Sequence, residues 1–302
     1  MGTILLYYKY VFIEYPERIL KWQKKLCADL GLKGRIIIAH EGINGTVGGS
    51  QENIEVYKQV MRKNPLFEDV EFKESAGAAD QFPRMRVVVK NEVVHLGLDT
   101  KKISAAQGGT HLTPQEAHAL IAQGGKDLVI LDARNNFESA IGTFKNAITP
   151  DIDHFRQLPD YLDSNVEQFK DKEVLMFCTG GIRRERASAY LKSKGVARSV
   201  SQIKGGIHCY VEQFPDGFFR GKNYVFDGRI AVKVNEDILG RCGICAAPCD
   251  EYTNCLNATC NDHFICCQDC LKKFGNTCSQ TCMELLQSKQ VAPRPARIGK
   301  SQ

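Results

Sequence analysis

The first part of the chain, to about residue 95, alternates between strand-like and helix-like patterns of apolar residues. Pro16 opens a helix that Gly31 closes, and Ser50 caps a second helix that runs to Arg62. Asn44–Gly45 is a dipeptide typical of hairpin turns, and apolar runs predict strands at 4–13, 35–39, 70–73 and 85–89. This order of strand, helix, strand pair, helix and strand predicts a ferredoxin-like α+β domain over residues 1–95.

The pattern changes after a polar segment at 96–112, which we interpret as a linker. Thr113, Pro114 and Glu116 form a capping box for a helix over 114–123. Strands alternating with helices follow and predict an α/β domain over 113–228, with a parallel sheet covered by helices on both faces. The predicted elements are strands at 128–132, 174–177 and 200–203 and a helix at 183–194. A cysteine-rich module at 229–285 and a flexible tail at 286–302 complete the expected organisation.

Composition excludes several classes of protein. The 302 residues are 43% hydrophobic and 25% charged, which is ordinary for a globular chain with a real core. No apolar run approaches the roughly 20 residues of a membrane helix, and Lys9 interrupts the first run, which favours a first strand over a secretory signal. Ten of the 13 cysteines lie between Cys242 and Cys282. Without an export signal this clustering favours metal binding in a reducing, cytoplasmic compartment.

A lone cysteine, Cys178, follows the buried strand and precedes two glycines, an arginine and a helix. The glycines let the backbone turn its N–H groups toward one point, and the helix N-terminus and Arg183 add positive charge there. A thiol in such a loop is expected to have a lowered pKa and to react as a thiolate. A buried cysteine beside an ordinary turn is the alternative. The residues predicted to surround Cys178 in an anion-binding active-site loop are Thr179, Gly180, Gly181, Ile182 and Arg183.

Cys178 to Arg183 resembles the active-site loop of rhodanese-type sulfurtransferases, which place four residues between the cysteine and the arginine; the related phosphatases place five. The segment 131–138, with Gly142, Asn146 and Ala147 after it, resembles the second signature of that family. The resemblance implies a rhodanese domain in which Asp132 and Arg134 give structural support beneath the loop. The sequence departs from the family at 143–144, where Thr-Phe replaces the His-Ile of many members.

Further motifs extend the resemblance from about Tyr7 to Cys282. The segments His40–Thr46 and Phe226–Arg229 and the cysteine-rich end occur in the order seen in the oxygen-dependent tRNA uridine hydroxylases. These rhodanese-containing enzymes make 5-hydroxyuridine at the wobble position, uridine-34. The resemblance implies that Cys178 is a catalytic, persulfide-forming cysteine. It also implies that the anticodon region of tRNA is the partner and that molecular oxygen is a co-substrate.

The residues alone give less than this. They indicate a reactive thiol in an anion-binding loop, and no flavin, haem or nicotinamide motif is visible. His40, Glu41 and His208 are weak candidates for iron ligands, for which hairpin and core roles are favoured. Two other functions stay open: a rhodanese-type sulfurtransferase acting on small sulfur donors or RNA, and a non-enzymatic scaffold that binds RNA. No membrane association is expected, and the sequence leaves the oligomeric state open.

Charge and aromatic residues give some independent support for an RNA partner. The net charge is +5. Residues 172–204 contain eight basic residues and two acidic ones, which predicts an electropositive face beside the loop. Aromatic residues downstream favour core packing but could also stack on a splayed base. The basic residues are Lys172, Arg183, Arg184, Arg186, Lys192, Lys194, Arg198 and Lys204, and the aromatic ones are Tyr210, Phe214, Phe218, Phe219, Tyr224 and Phe226.

The cysteine-rich end contains four closely spaced pairs of cysteines. Such pairs bring two thiolates to one tetrahedral zinc, so we predict two structural zinc ions with interleaved pairing. Sequential pairing and disulfide formation are the alternatives, and Cys249, His263 and Cys266 are additional candidate ligands. The predicted sets are Cys242, Cys245, Cys267 and Cys270 for one ion and Cys255, Cys260, Cys278 and Cys282 for the other.

Overall fold

The structure, a computed structural model, describes residues 2–295. The N-terminal elements are β1 Gly2–Tyr10, α1 Pro16–Asp29, β2 Lys33–Ala39, β3 Gly42–Ser50, α2 Gln51–Arg62, β4 Phe72–Gly77 and β5 Met85–Val89. They form one sheet in the order β4-β1-β3-β2-β5, antiparallel except for the parallel pair β2 and β5. The first four strands with their two helices confirm the ferredoxin-like arrangement, and Ser50 caps α2 by accepting from the Asn53 N–H.

The predicted hairpin turn at Asn44–Gly45 is wrong. Both residues lie inside β3, and the turn consists of His40 and Glu41, because Ala39 pairs with Gly42. The glycines of β3 instead allow its neighbours to approach closely. Gly42 has φ +150°, and a Cβ there would lie 2.1 Å from the carbonyl oxygen of Lys9 on β1.

The two faces of the N-terminal sheet have different roles. Tyr7 on β1 belongs to a buried cluster with Ile36 and Ile38 of β2 and with Tyr57 and Met61 of α2. Side chains alternate between faces along a strand, so the residues on either side of Tyr7 point away from this core. That opposite face lies against the second domain and carries part of the candidate site.

The central domain has the predicted α/β architecture. Its main sheet is parallel with the order β6-β10-β9-β7, and a small antiparallel sheet with the order β12-β11-β8 lies beside it. The capping box is confirmed, since Thr113 Oγ1 accepts from the Glu116 N–H and Glu116 Oε2 accepts from the Thr113 N–H. The elements are β6 Thr110–Leu112, α3 Pro114–Gln123, β7 Leu128–Asp132, α4 Asn136–Ser139, β8 Gly142–Phe144, α5 Leu158–Ser164, β9 Glu173–Phe177, α6 Ile182–Ser193, β10 Ser199–Ile203, α7 Gly206–Gln213, β11 Phe219–Tyr224 and β12 Ala231–Lys233.

The polar segment interpreted as a linker ends inside this sheet. Its last three residues are β6, which pairs with β10. Just before β6, the Gly109 N–H donates to Ser188 Oγ at 2.8 Å, and Gln202 Nε2 donates to the Gly109 carbonyl oxygen at 2.9 Å. Short polar strands at a sheet edge carry little hydrophobic signal, which explains why the sequence pattern missed this one.

The C-terminal module contains β13 Tyr252–Asn254, β14 His263–Ile265, α8 Gln268–Lys273 and α9 Gln280–Gln287. Part of the expected tail is ordered against it: Pro293 forms a bridge with Asn257, and the Ala258 N–H donates to the carbonyl oxygen of Ala292 at 3.2 Å. Residues 296–302 of that tail lie outside the described residues. Among residues 2–295, no helix is both long enough and apolar enough to cross a membrane.

Candidate active site and metal clusters

Cys178 lies where the buried strand β9 ends and the loop to α6 begins. Its side chain is buried, and the Gly181 N–H donates to its sulfur at 3.2 Å. Gly181 has φ +110°, a conformation that glycine tolerates best, and it is the residue before the first turn of α6. The loop therefore turns at least one backbone N–H toward the thiol, as the sequence predicts.

A second glycine turn supports the loop from behind. The Ile207 N–H at the start of α7 donates to the Cys178 carbonyl oxygen at 3.0 Å, and the His208 N–H donates to that of Thr179 at 3.2 Å. Gly206 lies so close that a Cβ would be 2.5 Å from the Cys178 carbonyl oxygen. These contacts hold the carbonyl groups of Cys178 and Thr179 on the α7 side of the loop. The other side of the loop faces the N-terminal domain.

Arg183 is not a free cation. Its Nη1 and Nη2 donate to the two carboxylate oxygens of Glu138 at 2.5 Å and 2.6 Å, and both side chains are buried. Burial lowers the pKa of Arg183, but the Glu138 carboxylate raises it by more. The pKa of Arg183 is therefore raised overall, and the pair stays ionised. Thr179 Oγ1 also donates to Glu138 at 3.3 Å. The positive charge expected at the loop is thus balanced by Glu138, which the sequence reasoning missed although the residue stands inside the second rhodanese signature.

Asp132 and Arg134 form a fully buried pair beneath the loop. Arg134 Nη2 donates to Asp132 Oδ2 at 2.6 Å and to the carbonyl oxygen of Gly142 at 2.5 Å. Thr143, at the position where the sequence departs from the family, donates its hydroxyl to Asp132 at 3.0 Å. The next residue along from Asp132, Ala133, donates its N–H to the carbonyl oxygen of Phe177 at 2.9 Å. The pair therefore lies one hydrogen bond from the strand residue that precedes Cys178.

The N-terminal domain supplies groups that the sequence reasoning did not find. Lys73 Nζ donates to the Gly180 carbonyl oxygen at 2.5 Å and lies 5.2 Å from the ring centre of Tyr8. Tyr10 donates its hydroxyl to the carbonyl oxygen of Ile182 at 3.2 Å. Burial lowers the pKa of Lys73. The sequence gives one signal of this contact between the domains. Strand β1 is apolar on both faces, which predicts that both faces are covered by other parts of the protein.

A cavity of about 1130 Å³ lies between the two domains and opens onto the loop. Cys178, Thr179, Gly180, Ile182 and Arg183 line one wall, and strands of the N-terminal sheet line the other. The volume exceeds that of a typical small-ligand pocket of ~300–1,000 Å³. The cavity is large enough to accept a nucleotide base and its sugar beside the thiol.

The basic face expected beside the loop differs from the prediction. Arg183, Arg184 and Arg186 do not contribute to an exposed basic face, because α6 is covered and all three are buried. Arg186, for example, pairs with Glu92. Exposed basic side chains instead line the cavity from both domains: Arg35, Lys90 and Arg156.

The aromatic residues divide into core and surface. Tyr210, Phe219 and Tyr224 are buried, and Phe214 and Phe218 pack partly buried against the same core as Tyr210 and Phe219. Phe226 is 60% exposed, lines the cavity and lies 5.6 Å from the guanidinium of Arg183. Stacking on a base is therefore open to Phe226, whereas core packing accounts for the others.

The cysteine-rich module gathers the two predicted sets of four thiols. Within each set all sulfur atoms lie within 4.8 Å of one another. The two sulfur atoms are 3.7 Å apart in Cys245–Cys267 and 3.6 Å apart in Cys260–Cys278. A tetrahedron with Zn–S bonds of ~2.3 Å has sulfur atoms about 3.8 Å apart, so the sets fit a tetrahedral metal ion. The sulfur atoms are grouped in the interleaved way, the metal itself stays a prediction, and none of the 13 cysteines forms a disulfide.

Backbone groups prepare the first set for a metal. Burial raises the pKa of Cys242, but N–H donors of Cys267, Cys245 and Ile244 lower it more, to about 6. Cys249 and Cys266 are buried beside this set and, like His263, are outside both groups. Among the described residues, His40, Glu41 and His208 do not belong to a converging group either, and His40 instead contacts the Ile13 carbonyl oxygen at 2.9 Å.

Comparison with protein families divides the chain in agreement with its fold. Residues 2–93 match the UPF0176 acylphosphatase like domain, residues 113–213 the rhodanese-like domain, and residues 220–283 the rhodanase C-terminal family. Among solved structures, a rhodanese-like domain protein from Staphylococcus aureus has a TM-score of 0.28 and 24% identity, covering 33% of this chain and 90% of its own. The family matches define a protein with a rhodanese domain and an added N-terminal domain.

Relatives that match over nearly the full length narrow the class. A tRNA uridine(34) hydroxylase of Corynebacterium urealyticum is 42% identical over 287 residues, which cover 92% of this chain and 96% of the relative. The protein of the same name from Bacillus licheniformis is 40% identical over 284 residues, covering 92% and 88%. The chain belongs to the tRNA uridine(34) hydroxylase family.

Proposed function

We propose that this protein is a cytoplasmic enzyme that hydroxylates uridine-34, the wobble uridine of tRNA, to 5-hydroxyuridine, with Cys178 as the catalytic residue. The observation that carries the proposal is the position of Cys178 on the wall of the interdomain cavity. A lone thiol with a backbone N–H on its sulfur faces a space that accepts a nucleotide. The 40–42% identity to tRNA uridine(34) hydroxylases supports the substrate.

Each part of the loop has a separate task in this proposal. The Cys178 sulfur carries the reactive group, in thiolate or persulfide form, and the N–H groups of the loop Thr179–Ile182 stabilise its negative charge. Lys73 adds a positive charge from the opposite domain, since its Nζ lies on the Gly180 carbonyl oxygen. Arg183, whose charge Glu138 balances, keeps the loop in shape and contributes less to anion binding than its position in the sequence indicates.

The cavity also explains how a base inside an RNA loop could reach the thiol. Enzymes that modify a base turn it out of the stack into a pocket and commonly stack it on an aromatic ring. Phe226 offers an exposed ring at the cavity. The exposed Arg35, Lys90 and Arg156 would bind phosphates on either side of the opening. We therefore propose the anticodon loop of tRNA as the part of the RNA that binds here.

Hydroxylation replaces the C5–H bond of uracil with C5–OH. With molecular oxygen as co-substrate, one oxygen atom enters the base and the other leaves as water, which requires two electrons and two protons from a reductant. We propose a thiol as that reductant.

The two cysteine sets fit structural zinc, held by Cys242, Cys245, Cys267 and Cys270 and by Cys255, Cys260, Cys278 and Cys282. Closed four-thiolate sites stabilise a fold and leave no open position for chemistry.

The test is nucleoside mass spectrometry of tRNA incubated with the purified protein, a thiol reductant and ¹⁸O₂. We expect 5-hydroxyuridine that carries one ¹⁸O atom, and we expect none with Cys178→Ala. Cys209→Ala is the matched control, because Cys209 is outside the main cavity and lines a separate one; it should keep the activity. Label from H₂¹⁸O in place of ¹⁸O₂ would contradict oxygen as the co-substrate. A thiolated nucleoside would instead establish a sulfurtransferase.

A further inference from the structure

Asn223 on β11 lines the cavity and has an unpaired side-chain acceptor. Its side chain is 3% exposed and lines the same cavity as Cys178. The Oδ1 atom is buried and accepts no hydrogen bond from any of the described residues. Buried side-chain acceptors almost always have a donor, so an exception in a residue that lines a cavity needs an explanation.

The position of Asn223 relative to the reactive loop is fixed. The next residue, Tyr224, accepts a hydrogen bond at its carbonyl oxygen from Thr179 Oγ1 at 3.4 Å. Thr179 directly follows Cys178. On the other side of the strand, Asn223 pairs with Val232 of β12. These contacts hold the backbone of the strand, so a change in the direction of the carboxamide comes from rotation about its own side-chain bonds.

Another asparagine in the same small sheet shows what a satisfied carboxamide looks like. Asn235 Oδ1 accepts from the Gly221 N–H at 2.9 Å, and its Nδ2 donates to the Phe219 carbonyl oxygen at 2.8 Å. Asn235 thus stabilises β11, and it is not among the cavity residues. The contrast indicates that the free acceptor of Asn223 serves something that enters the cavity.

The chemistry of uracil matches that acceptor. The Watson–Crick edge of uracil has an N3–H donor between two carbonyl oxygens, whereas cytosine has an N3 lone pair at the same place. A carboxamide can accept from N3–H with its oxygen and donate to a neighbouring carbonyl with its nitrogen. We propose that the carboxamide of Asn223 turns into the cavity when the base enters, that its oxygen accepts from the N3–H group of the substrate uracil, and that it so selects uridine over cytidine. This inference rests on the proposed function, because it assigns the base that enters the cavity.

The experiment uses full-length protein and anticodon stem-loop RNAs that differ at one position. Position 34 carries uridine, 3-methyluridine, in which a methyl group replaces the N3 hydrogen, or cytidine. Fluorescence anisotropy gives the dissociation constants at fixed salt. One hydrogen bond corresponds to roughly 10-fold in affinity, so wild type should prefer uridine to 3-methyluridine and to cytidine by about that factor.

The variants decide which residue causes the preference. Asn223→Leu keeps the side-chain volume and removes both polar atoms, and Asn223→Ala is the second variant in case leucine disturbs the strand. Both should reduce the preference to about 1–2-fold, a change that a merely structural role would not produce. Asn235→Ala is the matched control, because it removes two hydrogen bonds from β11 and should keep the full preference.

The outcomes are separable from those of the proposed function. If folded Asn223→Leu and Asn223→Ala, checked by thermal unfolding, keep the wild-type preference, the inference is overturned. It is equally overturned if wild type shows no preference. Because these are binding measurements, they hold even if the protein forms no 5-hydroxyuridine, a result that would remove the proposed activity and leave the recognition of the base to be judged on its own.

Discussion

Buried charged groups and backbone groups surround the single thiol of Cys178. In residues 242–282, by contrast, eight of the ten thiols form two groups of four. The carboxylate of Glu138 and the guanidinium of Arg183 lie beside the first region, and Lys73 reaches it from another domain. In the second region, the buried members of the hydrophobic cluster are all cysteines. Under the proposed function, the same residue type serves reactivity in one place and metal binding in the other.

The difference shows what decides the role of a cysteine. An isolated thiol with a hydrogen-bond donor and an adjacent cavity is available to a substrate, and its environment needs no metal to persist. A group of four thiols within 4.8 Å is closed to substrates once a metal fills it. The stability of the first region should therefore depend on ion pairs, and that of the second on the metal.

Metal removal is expected to have the largest effect. A strong chelator should unfold the module that contains β13, β14, α8 and α9, because so small a core gains most of its folding free energy from bound metal. Thiol titration should then detect ten additional reactive cysteines, the eight ligands together with the buried Cys249 and Cys266, and hydrogen exchange should rise in the module while β9 and α6 stay protected. Freshly purified, reduced protein should contain two zinc ions per chain.

Double variants give a sharper test of the metal sites. Cys245→Ser with Cys267→Ser removes two ligands of one set and should leave one zinc ion. Cys245→Ser with Cys260→Ser removes one ligand from each set and should weaken both sites. A metal-free wild type would contradict the proposed zinc, and equal zinc loss in both variants would contradict the separation of the two sets.

Breaking the buried pair beside Cys178 should have the next largest effect. Arg183→Ala leaves the Glu138 carboxylate buried without its partner, which typically costs about 3–5 kcal/mol of unfolding free energy. Glu138→Gln should be similarly harmful, whereas the double variant Arg183→Ala with Glu138→Gln should lose less than the sum of the two single losses, because no unpaired charge stays buried. Urea unfolding of the four proteins gives the coupling energy. If the two single effects simply add in the double variant, the pair has no special role.

These two regions also show how far the sequence alone could lead. The loop and the cysteine sets were predictable because their residues are close in sequence: Cys178 and Arg183 share one turn, and each cysteine pair has its own short spacing. Lys73 and Asn223 could not be predicted, because strand packing between domains brings them to the loop from about a hundred and about forty-five residues away. Burial of α6 was equally invisible, so its arginines were assigned to a surface that they do not reach.

The prediction of a turn at Asn44–Gly45 failed for a related reason. Glycine next to asparagine signals a turn when only neighbours in sequence matter. Here a Cβ at position 45 would lie 2.3 Å from the ring of Tyr7, so the glycine makes room for a side chain of the adjacent strand. Local patterns identify which residues are unusual, but the three-dimensional packing determines what each one does.

Charge substitutions should show which of the two regions binds RNA. Arg35→Gln with Lys90→Gln removes two exposed charges at the cavity, and Lys272→Gln with Lys273→Gln removes two exposed charges from α8 of the module. The cavity variant should reduce the slope of log affinity against log salt by ~1–2, with an affinity loss of roughly 10-fold. The module variant should change it little. The opposite ranking would place the tRNA on the module.

Acid should produce the smallest and most local effect, through Glu185. This carboxylate receives hydrogen bonds from Tyr8 of the N-terminal domain and from Gln202, and it contacts His111 at 3.0 Å. Burial alone raises its pKa, but His111, Arg184 and Tyr8 lower it more, so the net pKa is lowered. A lowered carboxyl pKa contributes stability above its unfolded value of ~4.3 and loses that contribution as the pH falls through the folded value.

Glu185→Gln should therefore destabilise the domain contact at neutral pH, by about 1 kcal/mol for a weakened hydrogen bond, and the difference from wild type should shrink below about pH 4. Hydrogen exchange in β1 and α6 measures this contact apart from the module, where acid also displaces metal from thiolates. Glu236→Gln is the matched control, because that carboxylate is exposed on the surface and pairs with Lys233. A constant difference at all pH values would mean that the ionised form of Glu185 does not stabilise the contact between the domains, and that shape complementarity holds the two domains together instead.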